Sequence, residues 1–155
     1  MPLNDLITAD AILPALRVNT KKSALHEMSE RAAAVSGLGA REIYDAVLQR
    51  ERLGSTGVGN GIAIPHGKLN ACTRIVGVFA RLERPVEFDS LDGAPVDLAF
   101  LLVAPEASGA DHLKALARIA RVLREPRIVA KLRATRDAGG LYGVLTQHQA
   151  STNAA

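Results

Sequence analysis

Two histidines in this sequence have surroundings that favour a reactive imidazole. His66 follows a short extended segment, and Pro65 restrains the chain on one side while Gly67 frees it on the other. Neutral imidazole is a competent nucleophile near physiological pH, because its unperturbed pKa of about 6.5 leaves much of it unprotonated. His112 lies at the predicted start of a helix, a position that attracts anions. If the two rings meet beside Arg50, the three side chains form a small cationic pocket suited to a phosphoryl group.

A glycine-rich run at residues 54–61, Gly-Ser-Thr-Gly-Val-Gly-Asn-Gly, comes shortly before the first of these histidines. Its glycines predict a loop, because they leave the backbone unconstrained. Backbone N–H groups of such a turn, together with a guanidinium, can position a phosphoryl group and stabilise its charge. Ser55 and Thr56 are expected first to brace the loop. With Gly67 and Lys68 they complete the set that would surround a phosphoryl group or a partner, although a solvated lysine is the commoner case.

The glycines do not fit either common nucleotide-binding motif. A P-loop has four residues between its glycines, whereas Gly61 and Gly67 enclose five. A P-loop also has Ser or Thr after its lysine, and here Leu69 follows Lys68. The dinucleotide fingerprint fails too, since the glycines at residues 57–61 are evenly spaced and precede no clear helix. We therefore expect no nucleotide cofactor.

Patterns of apolar residues predict alternating helices and strands. Apolar residues at helical intervals predict helices on both sides of the glycine-rich run. Two longer apolar runs predict strands, and the second is so continuous that helices must cover both of its faces. This interleaving favours an α/β or mixed three-layer domain over separate α and β halves. The predicted helices cover residues 21–35, 41–53, 111–124, 127–135 and 140–146, and the predicted strands cover 62–64, 75–82 and 96–103.

Length and composition limit the number of domains and the cellular setting. The chain has 155 residues, of which 48% are hydrophobic and 3% aromatic, enough for an aliphatic core in one domain. We assign residues 1–148 to that domain and expect a disordered tail at 149–155. The longest apolar run, residues 96–105, is far below the roughly 20 residues that cross a bilayer, so we expect no membrane insertion. With no secretory pattern at the N-terminus and a single cysteine, a cytoplasmic setting is expected.

Basic residues are concentrated at residues 113–136, although the net charge of the chain is only +3. This stretch contains eight Lys or Arg against one carboxylate, Glu125. Lys114 and Arg118 recur at helical spacing opposite apolar residues such as Leu113, so the stretch is first an amphipathic helix with a solvated face. Binding of nucleic acid or an acidic partner is the sharper alternative, and we do not expect nucleic acid.

The segment from Gly54 to Lys68 resembles the signature of a known family. It reads Gly-Ser-Thr-Gly-Val-Gly-Asn-Gly-Ile-Ala-Ile-Pro-His-Gly-Lys and is similar to enzyme IIA proteins of the fructose/mannitol class in the bacterial phosphotransferase system. The resemblance continues through the Pro-Val-Asp-Leu-Ala-Phe-Leu-Leu-Val-Ala-Pro strand and the Asp-His-Leu-Lys-Ala-Leu helix, and so covers nearly the whole chain. Within the class, the sequence is most similar to the nitrogen-regulatory members.

The resemblance implies a fold and a role for each of the three cationic residues. The fold would be a mixed β-sheet flanked by helices on both faces. His66 corresponds to the histidine that accepts a phosphoryl group at Nε2 from a histidine phosphocarrier protein. Arg50 and His112 match supporting residues that stabilise the phosphoryl oxygens during transfer. The abundance of arginine after His112 matches no role in the family.

Several functions remain open at this point. The resemblance implies a phosphoryl carrier, a phosphohistidine intermediate without turnover of its own, which regulates target proteins by its phosphorylation state. A sugar-specific enzyme IIA that passes the group to a IIB component is one alternative, and a basic binding module without catalysis is another. A metal-dependent hydrolase would use His66, His112 and Asp111. A zinc site usually needs three or four well-placed ligands, so we expect no metal and no other cofactor.

Overall fold

The computed structural model of the protein describes the backbone of residues 3–154 and the side chains of residues 3–146. In this part of the chain, six strands form one β-sheet, and two α-helices follow the first strand while three follow the last. The strands are β1 (Ile12–Leu16), β2 (Gly57–Gly59), β3 (Ile62–Ala63), β4 (His66–Leu69), β5 (Val76–Val86) and β6 (Val96–Pro105). The helices are α1 (Lys21–Ser36), α2 (Ala40–Leu53), α3 (Ala110–Leu123), α4 (Pro126–Ala134) and α5 (Ala138–Ala154).

The sheet is mixed, as the family resemblance implied. Its strands lie in the order β1-β5-β6-β3-β2, and β4 also pairs with β6. β5 and β6 run antiparallel, with Phe79 opposite Phe100, whereas β1 runs parallel to β5. β3 and β4 both run parallel to β6, and β2 returns antiparallel to β3. One edge of β6 therefore pairs with the two short strands on either side of residues 64–65 and positions the chain that leads into His66.

The central strands are buried on both faces. Residues 76–80 of β5 and 98–104 of β6 are all buried, although consecutive side chains of a strand point to opposite faces. Helices therefore cover both faces of the sheet. α1 packs on α2 and β5, and α5 packs on β1. The predicted α/β class is confirmed, and the core is aliphatic apart from Phe79, Phe88 and Phe100.

Local sequence determines where the helices begin and end. Thr20 caps α1, since its Oγ1 accepts the backbone N–H of Ser23 at 3.1 Å and the Ser23 hydroxyl accepts the Thr20 N–H at 3.2 Å. Gly37 ends α1 with a φ of 81°, a left-handed conformation that glycine commonly adopts at the end of a helix. Pro126 is the first residue of α4, where its missing N–H is no loss. The break predicted between residues 124 and 127 is confirmed, although the new helix begins at the proline itself.

Several short strands differ from the sequence-based expectation. β1 was not predicted, because Pro14 interrupts it. β4 was not predicted either, because its four residues, His-Gly-Lys-Leu, show no alternating apolar pattern. The predicted loop at 54–61 contains part of a short β2–β3 hairpin, whose turn has positive φ at Asn60 (58°) and Gly61 (81°). β5 continues to Val86, beyond the predicted end at residue 82.

The C-terminal helix is longer than predicted. α5 begins at Ala138, before the predicted start at residue 140, and its backbone is helical through Ala154. The tail predicted for 149–155 starts inside this helix, while residue 155 and the side chains after Thr146 lie outside the description. Among the described helices, none is long and apolar enough to cross a membrane.

Candidate functional site

His66 is the first residue of β4, so it begins a strand where the sequence suggested the end of one. Its position on β6 is fixed by two interactions. The Pro65 carbonyl accepts the backbone N–H of Leu102 at 2.9 Å, and His66 lies opposite Leu102 in the parallel register. Pro65 is buried, and its ring restricts φ as the chain passes from β3 to β4. The imidazole is consequently held, half-buried, beside the edge of β6.

One hydrogen bond determines which ring nitrogen of His66 can react. Nδ1 lies 2.9 Å from the carbonyl oxygen of Ile64. A carbonyl oxygen only accepts hydrogen bonds, so Nδ1 carries the proton and donates it. In the neutral ring the free lone pair is then on Nε2. Nε2 is therefore the nucleophilic atom of this imidazole.

His112 lies against His66, as the pocket expected from the sequence requires. The two ring centroids are 5.5 Å apart, and the ring planes are inclined by 52°. His112 is in the first turn of α3 and is only 6% exposed. Its Nδ1 is buried without a hydrogen-bond partner among the described residues. A ring with unused hydrogen-bonding capacity therefore lies next to the nucleophilic imidazole.

α3 begins without a side-chain cap. The helix starts after Gly109, one residue before the predicted start at residue 111. Gly109 has a φ of 55°, in the left-handed region that favours glycine. The Ser108 hydroxyl is buried and also lacks a partner among the described residues. The uncapped helix N-terminus places partial positive charge near His112.

Burial lowers the pKa of His66 below its ordinary value of about 6.5. The Ile64 carbonyl acts in the opposite direction because it holds the ring proton, and so does the negative charge of Glu51. Arg50 and Lys68 add to the lowering, because their positive charges disfavour a second proton on the ring. The pKa of His66 is lowered overall, so the ring is neutral and nucleophilic at neutral pH.

Burial also lowers the pKa of His112, and the neighbouring His66 and Lys68 lower it further. Both rings therefore resist protonation at neutral pH. A neutral imidazole keeps one N–H that can donate a hydrogen bond. The pair can accordingly provide a nucleophile and, beside it, an uncharged hydrogen-bond donor.

Arg50 lies in the last turn of α2, at the start of the glycine-rich segment. Its Nη1 donates to the carbonyl oxygen of Gly54 at 2.9 Å. Its charge is close enough to His66 to lower the pKa of the ring. Arg50 pairs with none of the described carboxylates. The guanidinium is thus fixed by one bond and keeps further donors that could bind an anion.

An arginine from α4 holds the turn of the β2–β3 hairpin. Arg133 binds the Asp97 carboxylate in a bidentate arrangement, with both N–O distances at 2.9 Å. Its Nη2 also donates to the carbonyl oxygen of Asn60 at 2.6 Å. A Cβ at Gly61 would lie 2.5 Å from the guanidinium and 2.8 Å from the carboxylate, so a larger residue there would displace this ion pair. These bonds fix the glycine-rich hairpin that precedes the histidine.

The hydroxyls of Ser55 and Thr56 are used inside the protein. Ser55 Oγ donates to the carbonyl oxygen of Phe88 and accepts the N–H of Gly57 at 3.0 Å. Thr56 donates to the Glu51 carboxylate twice, from Oγ1 at 2.5 Å and from its backbone N–H at 2.9 Å. These bonds support the interpretation that both residues brace the loop.

Gly67 serves close packing in the structure, whereas the sequence suggested that it frees the neighbouring histidine. It is buried in β4. A Cβ there would lie 3.1 Å from the backbone nitrogen of Val47 and 3.2 Å from the carbonyl carbon of Ala46, so glycine lets α2 approach β4. Lys68, the next residue, is exposed, and its charge lowers the pKa of both site histidines.

Sequence reasoning missed two charged residues that lie behind the site. Glu51 is buried, and its Oε2 lies 3.2 Å from Lys21 Nζ. In the sequence, Glu51 stands between Arg50 and Arg52 near a helix end, which is typical of a solvated carboxylate. The available signal was indirect, since a helix C-terminus disfavours negative charge and a glutamate there benefits from a cation elsewhere in the fold.

The basic stretch at 113–136 contains paired and unpaired cations. Arg118 binds Asp5 through two bonds of 2.9 and 2.6 Å, and Arg133 binds Asp97 as described. Leu113 was expected on the buried side of α3 but is exposed, and His112 is buried in its place. The other basic residues are exposed and pair with no described carboxylate: Lys114, Arg121, Arg124, Arg127, Lys131 and Arg136.

No group of three or more histidine, cysteine or carboxylate residues in the described part of the chain could hold a metal ion. His66 and His112 together supply two imidazoles, which is one ligand fewer than a catalytic zinc site usually takes from the protein. Their arrangement suits a nucleophile with a neighbouring hydrogen-bond donor better than a metal centre.

Comparisons with known proteins show which family the chain belongs to. Residues 5–148 match the family model described as "Phosphoenolpyruvate-dependent sugar phosphotransferase system, EIIA 2". A nitrogen regulatory protein of Bradyrhizobium diazoefficiens is 59% identical over 145 residues, which cover 94% of this chain and 95% of that protein. A fructose-specific EIIABC component of Bacillus subtilis is 32% identical over 149 residues, which cover 96% of this chain but 24% of that protein.

A solved structure extends the comparison to three dimensions. The crystal structure of nitrogen regulatory protein IIA-Ntr from Neisseria meningitidis superposes with a TM-score of 0.88 at 32% identity. The superposition covers 93% of this chain and 99% of that chain. The match to the family model spans most of the sequence, and these relatives align with nearly all of it. The chain therefore belongs to the EIIA 2 family of the phosphoenolpyruvate-dependent sugar phosphotransferase system.

Proposed function

We propose that this chain is a regulatory phosphoryl carrier of the phosphotransferase system. His66 accepts a phosphoryl group at Nε2 from a histidine phosphocarrier protein, and the phosphorylation state decides which target proteins the chain binds. The observation that carries the proposal is the hydrogen bond of 2.9 Å from His66 Nδ1 to the Ile64 carbonyl, which leaves the Nε2 lone pair free. We place this activity in the cytoplasm.

The transfer step forms one bond and breaks one. The Nε2 lone pair of His66 attacks the phosphorus of the donor's phosphohistidine. The bond from Nε2 to phosphorus forms while the donor's N–P bond breaks, and the electron pair of that bond returns to the donor imidazole. The proton on Nδ1 stays on the ring, held by the Ile64 carbonyl. Because both reacting groups are imidazoles, the step is readily reversible, as a relay requires.

His112 and Arg50 stabilise the group in transit. Neither ring nitrogen of His112 makes a hydrogen bond within the described residues, so an N–H of this ring can bind a phosphoryl oxygen. The guanidinium of Arg50 and the ammonium of Lys68 supply positive charge at the same place, as their influence on the pKa of His66 indicates. Preorganised donors and charges of this kind are the main requirement of phosphoryl transfer.

The order of the similarities supports regulation over sugar transport. Identity is 59% to a nitrogen regulatory protein and 32% to a fructose-specific component. The second candidate is a sugar-specific enzyme IIA that delivers the phosphoryl group to a IIB component, since the family model describes the sugar system. The two functions share the first transfer step and differ in the partner that follows.

Exposed apolar side chains on the surface support a protein partner. Among the described residues, the large exposed hydrophobic side chains are Leu53, Val58, Leu91 and Leu113. Leu113 adjoins His112, and Leu53 is the last residue of α2. Val58 belongs to β2, and Leu91 belongs to the turn whose side chains contact the hairpin. Apolar side chains interspersed with cations favour docking of another protein over binding of a small polar ligand.

The first experiment is intact-mass analysis after incubation with phosphoenolpyruvate, the general phosphotransferase enzyme and its histidine phosphocarrier. Wild-type protein is expected to gain one acid-labile phosphoryl group. His66→Ala is expected to gain none, whereas His26→Ala, which alters an exposed histidine on α1, gains it as the wild type does. Absence of a gain in the wild type, under conditions that phosphorylate another enzyme IIA, overturns the proposal.

The same assay tests the supporting residues. Arg50→Gln and His112→Gln are each expected to slow phosphorylation by on the order of 100-fold, because each removes a group that stabilises the transferring charge. Arg52→Gln, an exposed neighbour on α2, is the matched control and is expected to react at the wild-type rate. A wild-type rate in Arg50→Gln or His112→Gln removes that residue from the transfer step.

Calorimetry separates regulation from transport. Phosphorylation adds roughly −1.5 to −2 charges at the site, so a regulatory target is expected to bind the two forms with different affinity. Equal affinity of both forms for every target tested, together with transfer of the phosphoryl group to a IIB component, supports the sugar-specific alternative.

A further inference from the structure

Glu51 is a buried carboxylate that the proposed transfer step does not use. Its side chain is 2% exposed. It lies in the last turn of α2, where the helix dipole disfavours a negative charge. An ionised carboxylate in such a place loses its hydration, and only its partners compensate for that loss. The identity of these partners therefore indicates what the carboxylate does.

Both oxygens of Glu51 accept hydrogen bonds. Oε2 accepts from Lys21 Nζ at 3.2 Å and from the backbone N–H of Thr56 at 2.9 Å. Oε1 accepts from the Thr56 hydroxyl at 2.5 Å. Two of the three bonds thus go to a single residue of the glycine-rich segment, and they fix its backbone against the end of α2.

Two further bonds lead from Thr56 to His66. The Thr56 carbonyl accepts the N–H of Ile64 at 3.0 Å. The Ile64 carbonyl then accepts from His66 Nδ1 at 2.9 Å. The two backbone groups of Ile64 thereby connect the glycine-rich segment to the imidazole. Because the Ile64 carbonyl selects the protonated nitrogen, the position of Thr56 influences which tautomer His66 adopts.

Lys21 connects the same network to a third segment. Its Nζ donates to the carbonyl oxygen of Phe88 at 3.2 Å and lies 3.4 Å from Asp89 Oδ2. The Phe88 carbonyl also accepts from the Ser55 hydroxyl. Lys21 Nζ further lies over the Phe88 ring, 5.5 Å from its centre. Residues 55–56 are therefore bonded to the last turn of α2 and to the segment after β5. The first residue of α1 binds both of these elements.

We propose that Lys21 and Glu51 are positioning residues for phosphoryl acceptance, which act through Thr56 and Ile64 to hold the His66 imidazole in its Nδ1-protonated tautomer. The consequence for transfer rests on the proposed function, whereas the tautomer is a property of the unphosphorylated protein. When the Ile64 carbonyl is displaced, the proton moves between the ring nitrogens. Nδ1 then competes with Nε2 as the nucleophile.

Nitrogen-15 NMR of the unphosphorylated protein tests this inference with Glu51→Gln. The amide has the size of the carboxylate but no charge. Its NH2 group donates hydrogen bonds where a carboxylate oxygen accepted them, so it faces a donor of Lys21 or Thr56. We expect wild-type His66 to be protonated at Nδ1 alone and the variant to show both tautomers. After phosphorylation, the variant is expected to carry phosphoryl groups on both nitrogens. Its rate of acceptance is expected to fall by on the order of tenfold or more.

Three further variants provide matched comparisons. Glu42→Gln makes the same chemical change at an exposed position of α2 and is expected to leave the tautomer and the rate unchanged. Thr56→Ser keeps the hydroxyl and is expected to retain the wild-type tautomer. Thr56→Val removes the hydroxyl at similar volume. Like Glu51→Gln, it is expected to show both tautomers of His66.

The outcomes separate positioning from mere stabilisation. If Glu51→Gln and Thr56→Val lower the melting temperature but leave His66 fully protonated at Nδ1 and phosphorylated at Nε2 alone, the residues only stabilise the fold and the inference is wrong. If Glu51→Gln does not fold, Thr56→Val supplies the same measurement. If the wild type accepts no phosphoryl group, the proposed function fails, while the tautomer measurement still decides the positioning role.

Discussion

At His66 the partner that fixes the ring is a backbone carbonyl, that of Ile64. A carboxylate in this place would also fix the tautomer, but its charge would stabilise the protonated ring and raise the pKa. A neutral carbonyl orients the ring with a smaller effect of that kind, so burial remains the largest influence and the pKa of His66 is lowered. The site thus combines a defined tautomer with a neutral nucleophile. A carboxylate partner would give the first property but oppose the second.

The lowered pKa of His66 predicts a measurable titration. We expect the ring in the folded protein to titrate below about 6.5, the ordinary value for histidine, because burial and the charges of Arg50 and Lys68 disfavour protonation. Proton NMR of the ring, compared with the same histidine in a short peptide of residues 62–70, measures the difference. A midpoint above that of the peptide contradicts the proposed environment.

The lowered pKa values of His66 and His112 also determine how the stability of the fold changes with pH. Below about pH 6.5 the unfolded chain protonates His66 and His112 before the folded protein does, so the free energy of unfolding falls as pH falls through that window. Above it, neither state is protonated and the contribution is constant. Urea unfolding between about pH 7 and pH 5 is expected to show a smaller loss when both histidines are replaced by asparagine.

Among the elements, α2 and β4 approach each other so closely that a side chain at Gly67 would crowd the backbone of α2. Gly67→Ala would place its Cβ 3.1 Å from the Val47 nitrogen and 3.2 Å from the Ala46 carbonyl carbon. We expect a loss of about 1–3 kcal/mol in the free energy of unfolding, because a backbone contact cannot yield as a side chain does. Since α2 carries Arg50, phosphorylation of His66 is expected to slow as well.

Gly143→Ala is the control for this change. Nothing lies within 4 Å of a Cβ at Gly143, which is in α5. Alanine is the better helix former, so stability is expected to stay equal or to rise by about 0.5–1 kcal/mol. Thermal unfolding of both variants measures the difference. Equal melting temperatures for Gly67→Ala and the wild type would show that α2 can move away from β4 without loss of stability, contrary to the prediction.

The elements that the sequence predicted are those whose own residues carry a pattern. α1, α2 and β6 have apolar residues at regular intervals or in long runs, and each lies close to its predicted range. β1 contains Pro14 and is a strand because it pairs with β5 at the edge of the sheet. β4 is a strand because β6 lies beside it. Such pairings depend on distant segments, so no local pattern shows them.

For the candidate site, the sequence supplied residue types but not their connections. His66, His112 and Arg50 were recognised from chemistry and from a family signature, and the structure brings the two rings together. Lys21 and Glu51 were missed because their ion pair joins residues 30 positions apart. In the sequence, each resembles an ordinary surface charge. Only the folded structure shows that both side chains are largely removed from solvent and form an ion pair.

Across the whole molecule, two arginines of the basic stretch connect the C-terminal half to earlier segments. Arg118 binds Asp5, which lies 113 positions away in the sequence. This bond from Arg118 is the main cause that lowers the pKa of the Asp5 carboxyl. Arg133 binds Asp97 and the carbonyl of Asn60. Part of the excess of arginine therefore serves the fold, and the rest lies on the surface.

Arg133→Gln is predicted to weaken the fold modestly. The change removes a bidentate ion pair and the bond to Asn60, but the side chain is partly exposed, so the expected loss is about 1 kcal/mol. For a chain of this size, that corresponds to a melting temperature lower by about 2–4 °C. Lys131→Gln, an exposed change on the same helix, is expected to alter stability by less than about 0.5 kcal/mol. Indistinguishable melting curves for the two variants would falsify this role of Arg133.

The pairing of His66 with Leu102 also bears on protein synthesis. A ribosome that has released residues 1–95 has made the acceptor histidine, but β6, which sets its register, and His112, which packs on its ring, are still to come. Long-range pairing of this kind forms only when the later segment is available. In a stalled or truncated nascent chain the proposed acceptor site is therefore unassembled, and we expect such a chain to accept phosphoryl groups more slowly than a chain completed past α3.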